Sequence, residues 1–122
     1  YTDTTGRRLV SNQWVANTAY QTGSEITYYY SDPNIVYDIQ ANGSLAQTSI
    51  GDQANFASIT AGSTTTGLSQ CMISTSLVGS SAVGDLRIIG LTPAVDNDWG
   101  DAYTVVQVQV SRSQFVATIN AI

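Results

Sequence analysis

Apolar and polar residues alternate with a period of two in several short segments of this chain, a spacing that suits extended strands with one buried face. The longest such run is Thr104-Val-Val-Gln-Val-Gln-Val110, where Thr104, Val106, Val108 and Val110 share one face and Val105, Gln107 and Gln109 the other. In Glu25-Ile-Thr-Tyr-Tyr-Tyr30 one face carries Ile26, Tyr28 and Tyr30. In Ile35-Val-Tyr-Asp-Ile-Gln40 one face carries Ile35, Tyr37 and Ile39, while Asp38 and Gln40 point away. Both read as half-buried strands.

Turn chemistry separates these runs. Asp32-Pro-Asn34 joins the two tyrosine-bearing strands, because proline presets a turn φ and short Asp or Asn side chains bond the local backbone. Asn42-Gly43 tolerates the positive φ of a type I′ hairpin, with Leu45 to Ile50 as the return strand. Polar loops at 61–67 and 78–84 bracket a strand over Leu68 to Thr75 and precede another over Leu86 to Leu91. Phe115 to Ile119 is expected to pair near the valine-rich strand. Ile50 to Ile59 is the one stretch with any helical reading, and its mixed apolar spacing gives that reading little support. The predicted core comprises Ile26, Ile35, Ile39, Ile88, Val106, Val108 and Val110.

The choice of polar residues agrees. Glu25 is the only glutamate and lysine does not occur, although these two residues normally cover helix surfaces; Ser, Thr, Tyr and Val suit a pleated one. At 122 residues, 43% apolar and 11% charged, the chain has the size and composition of one folded domain. The expectation is an all-β fold, a single-domain antiparallel β-sandwich or jelly-roll-like barrel over 21–122, preceded by an arm or extended segment over 1–20.

Charge narrows the partners. Arg7, Arg8, Arg87 and Arg112 oppose nine acids for a net charge of -5, so no cationic surface exists to displace counterions from phosphates, and direct nucleic-acid binding is not expected. No run approaches the roughly 20 apolar residues of a membrane-spanning helix, and no charged-then-apolar signal opens the chain. Tyr1 in place of Met predicts a processed or trimmed start. Cys71 is the only cysteine, so no internal disulfide can form; among Leu68-Ser-Gln-Cys-Met-Ile73 it is expected to be a buried, inert thiol.

The inventory is unfavourable to catalysis. Without histidine, neither Ser-His-Asp nor Cys-His nucleophiles nor His-containing metal sites can be built, and no P-loop motif is present. Asp96, Asp98 and Asp101 crowd around Trp99, yet a glycosidase pair needs a cleft that a domain of this size seldom spares. The same run departs from an EF-hand, since loop positions 6 and 12 counted from Asp96 hold Asp101 and Gln107. It reads instead as a tight polar turn whose Asp and Asn side chains satisfy backbone amides while Trp99 caps the core. No metal or cofactor is expected. Tyr28, Tyr29 and Tyr30 put rings on both strand faces, so at least one is available either as an ordinary sheet-face tyrosine or as an interface residue.

Several segments together resemble the small cement or decoration proteins encoded beside the major capsid protein of tailed phages. The motifs are Tyr28-Tyr-Tyr-Ser-Asp-Pro-Asn-Ile-Val-Tyr-Asp-Ile-Gln-Ala41, Ile50-Gly-Asp-Gln-Ala-Asn-Phe56, Ser63-Thr-Thr-Thr-Gly-Leu-Ser69, Leu86-Arg-Ile-Ile-Gly-Leu91 and Asp96-Asn-Asp-Trp-Gly-Asp-Ala102. They span about residues 26 to 110. The resemblance implies a virion protein on the outer capsid surface, assembled in the bacterial host cytoplasm. It implies the major capsid protein as partner, a homo-oligomer (dimer or trimer), and no catalytic residues. Tyr28, Tyr29, Tyr30, Asp32, Trp99 and Asp101 are the candidate capsid or subunit contacts. The alternative is a carbohydrate-binding or adhesin-type β-sandwich module, which shares the acidity, the Ser/Thr-rich loops and the aromatics.

Overall fold

The computed structural model describes residues 1–114 and 116–122. It divides into two compact units, Tyr1–Ser31 and Asp32–Ile122, and the arm expected over 1–20 lies within the first.

The first unit is short and irregular, and two devices organise it. Isolated antiparallel bridges join Thr2 to Arg8 and Asp3 to Tyr20. The Trp14 ring meets Tyr1 and Tyr20 edge-on at centroid distances of 5.4 and 5.0 Å, a favoured aromatic geometry that stands in for a core. Glu25 to Tyr30, expected as a half-buried strand, pairs with no strand among the described residues: Ile26 is 63% exposed and Tyr28, Tyr29 and Tyr30 are 91, 70 and 81% exposed. Its alternation defines a face, but none of the described residues covers it. Ile26 is therefore not a core residue.

The second unit is the all-β fold that the alternation predicts. Five strands, β1 (Tyr37–Gln40), β2 (Gln53–Ser58), β3 (Met72–Leu77), β4 (Leu86–Leu91) and β5 (Val105–Val110), form one antiparallel sheet in the order β1-β5-β4-β2-β3. β5 is flanked on both sides: Val108 lies opposite Tyr37 on β1 and Ile88 on β4, while Val106 lies opposite Ile39 and Leu91. Register shifts between Ile88 and Gly90, and at two places along β2 and β3, mark bulges that bend and coil the strands. The sheet curls so far that its two edges touch, Ala41 after β1 forming a parallel bridge to Ile73 on β3. The sheet is nevertheless open, its edges joined by that isolated bridge, and the all-β class holds.

The core is small. Ile73, Ile88, Val106 and Val108 are fully buried, joined by Ala41, Leu45, Ala54 and Leu86, with Tyr37, Ile39, Leu77 and Trp99 packed around them. Val110, predicted in the core, is 37% exposed at the end of its strand, and Ile35 is half-buried.

Several connections depart from expectation. Asn42-Gly43 is not a type I′ turn, since neither residue has positive φ. The Asn42 side chain instead accepts a hydrogen bond from the Thr75 amide, holding the closing edge. Leu45 to Ile50 is no return strand but contains a 3₁₀ turn, Gln47–Ser49. The helical reading of 50–59 gives way to β2, because Gln53 and Ala54 pair with Arg87 and Leu86 and their side chains are buried. β3 starts at Met72 rather than Leu68. Phe115 lies outside the described residues, and 116–119 contains no strand; Ile119 is held by its carbonyl, which accepts from the Gln53 side chain at 2.8 Å.

Candidate functional site

The acidic turn is a folded landmark. Its Asn97 side chain spans two strand ends, donating to the Thr92 and Val105 carbonyls at 2.9 and 2.7 Å and accepting from the Val105 amide at 2.9 Å. Asp101 Oδ2 accepts from the Asp98 amide at 2.7 Å, and the Gly100 amide donates to Leu45. Thr104, fully buried, completes the scaffold: its hydroxyl accepts from the Leu45 amide and donates to the Asp101 carbonyl. Trp99 is half-buried against the core, so the turn holds it as the expected cap. That packing competes with a sugar-stacking role. Among the described residues no group of three or more His, Cys, Asp and Glu side chains converges.

The other candidate contacts lie apart in the chain. Tyr28, Tyr29 and Tyr30 lie near the end of the first unit, exposed and outside any strand. Asp32 opens the second unit in the expected turn, its Oδ1 accepting from the Asn34 amide at 2.9 Å and its carbonyl from the Ile35 amide. Trp99 and Asp101 share one turn, and Asp32 belongs to another.

The second unit also holds a feature that the sequence reading missed. Upstream of the Ala41–Ile73 bridge, β1 and the approach to β3 separate, and an open cavity of about 650 Å³ lies between them. Tyr37 and Ile39 form one wall, Cys71 and Met72 the other, and Leu86 and Val108 the floor. Phe56 and Val110, both partly exposed, line it as well. A cavity this size was not expected of so small a domain. Cys71 is half-buried in its wall rather than buried in the core. Nothing local announces the groove: its apolar lining residues Tyr37, Ile39, Leu86 and Val108 sit on strand faces as the alternation requires, and only the failure of two edges to pair leaves them uncovered.

Charge is sparse here. Arg112 pairs loosely with Asp85 at 3.8 Å, and Arg87 donates to Gln109 at 3.3 Å, both on exposed or half-buried surface. In the first unit Asp3 is densely satisfied, its carboxylate accepting from the Thr5 hydroxyl and amide and from the Arg7 amide and guanidinium. The Thr5 hydroxyl, then the Arg7 amide, hold its pKa well below the usual carboxylate range.

Comparison with protein-family models, with curated proteins and with solved structures finds no match to this chain.

Proposed function

We propose that the protein is a structural, non-catalytic cement protein that binds the outer surface of a tailed-phage shell and bridges major capsid protein subunits. The observation that carries the reading is the run Tyr28-Tyr29-Tyr30, three adjacent tyrosines left exposed in the first unit. Tyrosine combines apolar area with a polar tip and is enriched where proteins meet. The motif resemblance over residues 26 to 110 supplies the partner, and the histidine-free inventory supports a role without chemistry.

The physics of the role is avidity. A small domain bridging two neighbouring subunits adds a modest bond at each site, and repetition over a shell makes the sum large. A net charge of -5 complements basic capsid patches and opposes capture by nucleic acid.

Purified shells with and without the protein, compared by heat-triggered DNA release, test the reading. Decorated shells are expected to release DNA at higher temperature, with Tyr29→Ala weakening binding. Identical release curves, or failure to bind shells at all, reject it.

A further inference from the structure

Two unmet needs occur in this molecule, and they are complementary. Ile26 to Tyr30 has the alternation of a strand, is exposed, and makes no hydrogen bond among the described residues. Meanwhile β1 and β3 are the two edges of the sheet, and among the described residues β1 pairs only with β5. Unpaired strand edges are templates for another strand. Here the edges are held by the parallel Ala41–Ile73 bridge, so 37–40 and 69–72 run in the same direction on either side of the apolar cavity. One strand running antiparallel to both would meet a backbone edge on each side, and its apolar face would cover Leu86 and Val108.

We infer that the groove accepts Ile26–Tyr30 of a second copy of this chain, donated as a sixth strand, so that the protein forms a strand-exchanged homo-oligomer. Length and pattern fit. The β1 edge is four residues long, and the segment offers Ile26, Tyr28 and Tyr30 on one face. The area also fits. Burying that face covers on the order of 400 Å² on each donated strand at ordinary aromatic areas. Reciprocal exchange between two copies doubles that to on the order of 800 Å² from the donated faces alone, and the groove lining and both backbone edges bring the total to about the lower end of the range of standard stable interfaces. Strand addition draws its affinity from main-chain hydrogen bonds and its specificity from alternate side chains, and both are present. Symmetric exchange satisfies the same need in every copy and leaves neither edge open. The inference does not depend on the capsid reading, and with Tyr28 and Tyr30 in the groove it leaves Tyr29, on the opposite face, as the tyrosine offered to a shell.

Cys71 in the groove wall makes the test direct. Chains carrying Tyr28→Cys with Cys71→Ser are mixed with unmodified chains and oxidised mildly, with parallel mixtures for Ile26→Cys and Tyr30→Cys to scan the register. Thr65→Cys with Cys71→Ser serves as the collision control. A mixed disulfide in the strand series, well above that control, is the expected result. Sedimentation should show an oligomer of the unmodified chain, with Tyr29→Pro shifting it to monomer at least tenfold more readily, because proline cannot donate to a ladder. A monomer at all concentrations overturns the inference, as does cross-linking no better than the control. A chain carrying both Tyr28→Cys and Cys71 that closes only within itself also overturns it, since the occupant is then its own strand. Capture of the groove by a different protein, with no mixed disulfide, has the same force.

Discussion

Two polar residues, one in each unit, set local geometry that apolar packing alone does not. Thr104 is buried completely and serves Leu45 and Asp101 at once, so its hydroxyl ties the start of β5 to two loops. Thr104→Val keeps the shape and removes the acceptor, leaving the Leu45 amide unpaired. The expected loss is about 1–3 kcal/mol, read as a lower denaturant midpoint by Trp99 fluorescence. Asp3 does similar work in the first unit, and its acidity gives that work a pH dependence. Its folded pKa lies below its unfolded one, so its contribution is fully present above the ordinary aspartate value of about 4 and fades as pH falls through and below it. Acidification from pH 6 to pH 3 should loosen the first unit, seen as a change in Trp14 fluorescence. Asp3→Asn should remove most of that pH dependence.

At the scale of elements, close backbone approach decides more than propensity. A Cβ on Gly84 would lie 2.9 Å from the Ala54 nitrogen and from Gln53 Cβ, where β2 passes the loop before β4. The Gly84 amide also donates to the Gln53 side chain at 2.8 Å, the same side chain that holds Ile119. Gly84→Ala is therefore expected to cost about 1–3 kcal/mol, whereas Gly79→Ala, which meets open space, should be nearly neutral; thermal melts of the two compare them. The same distinction explains what was legible in the sequence. β4 and β5 were readable because their own side chains alternate against both neighbours, and β1 because Tyr37 and Ile39 face in while Asp38 and Gln40 face out. Leu45 to Ile50 was not, since its path is set by bonds to distant Thr104 and Gly100, which local spacing does not encode. Within the candidate site, the acidic turn and the Trp99 cap were readable from short-range Asp and Asn chemistry. The groove was not, because a cavity is a property of two edges that do not meet, and periodicity specifies the face of a strand without saying what covers it.

On the scale of the whole chain, the two units rest on different physics, and their stabilities should differ accordingly. Asp32–Ile122 has a continuous apolar core and five paired strands, whereas Tyr1–Ser31 relies on isolated bridges, one carboxylate cluster and three aromatic rings. Segments below about 40 residues seldom bury enough surface to be stable without disulfides, metals or partners. The chain happens to carry two tryptophans, Trp14 in the first unit and Trp99 in the second, so each unit can be followed separately. With Trp99→Phe leaving Trp14 as reporter and Trp14→Phe leaving Trp99, urea titrations should give two midpoints, that of Trp14 being lower. Hydrogen exchange should agree, with amides of the first unit exchanging well before those of β4 and β5, since local opening is cheapest where few apolar contacts hold the backbone. Coincident midpoints would mean that the units unfold as one cooperative body. If strand exchange orders Ile26–Tyr30 in the oligomer, the Trp14 midpoint should also rise with protein concentration, because association stabilises by mass action whatever folds with it. The Trp14→Phe chain, read by Trp99, should show that concentration dependence too, since the donated strand covers the groove of the second unit. A concentration-independent pair of midpoints would leave the first unit marginal and the groove uncovered.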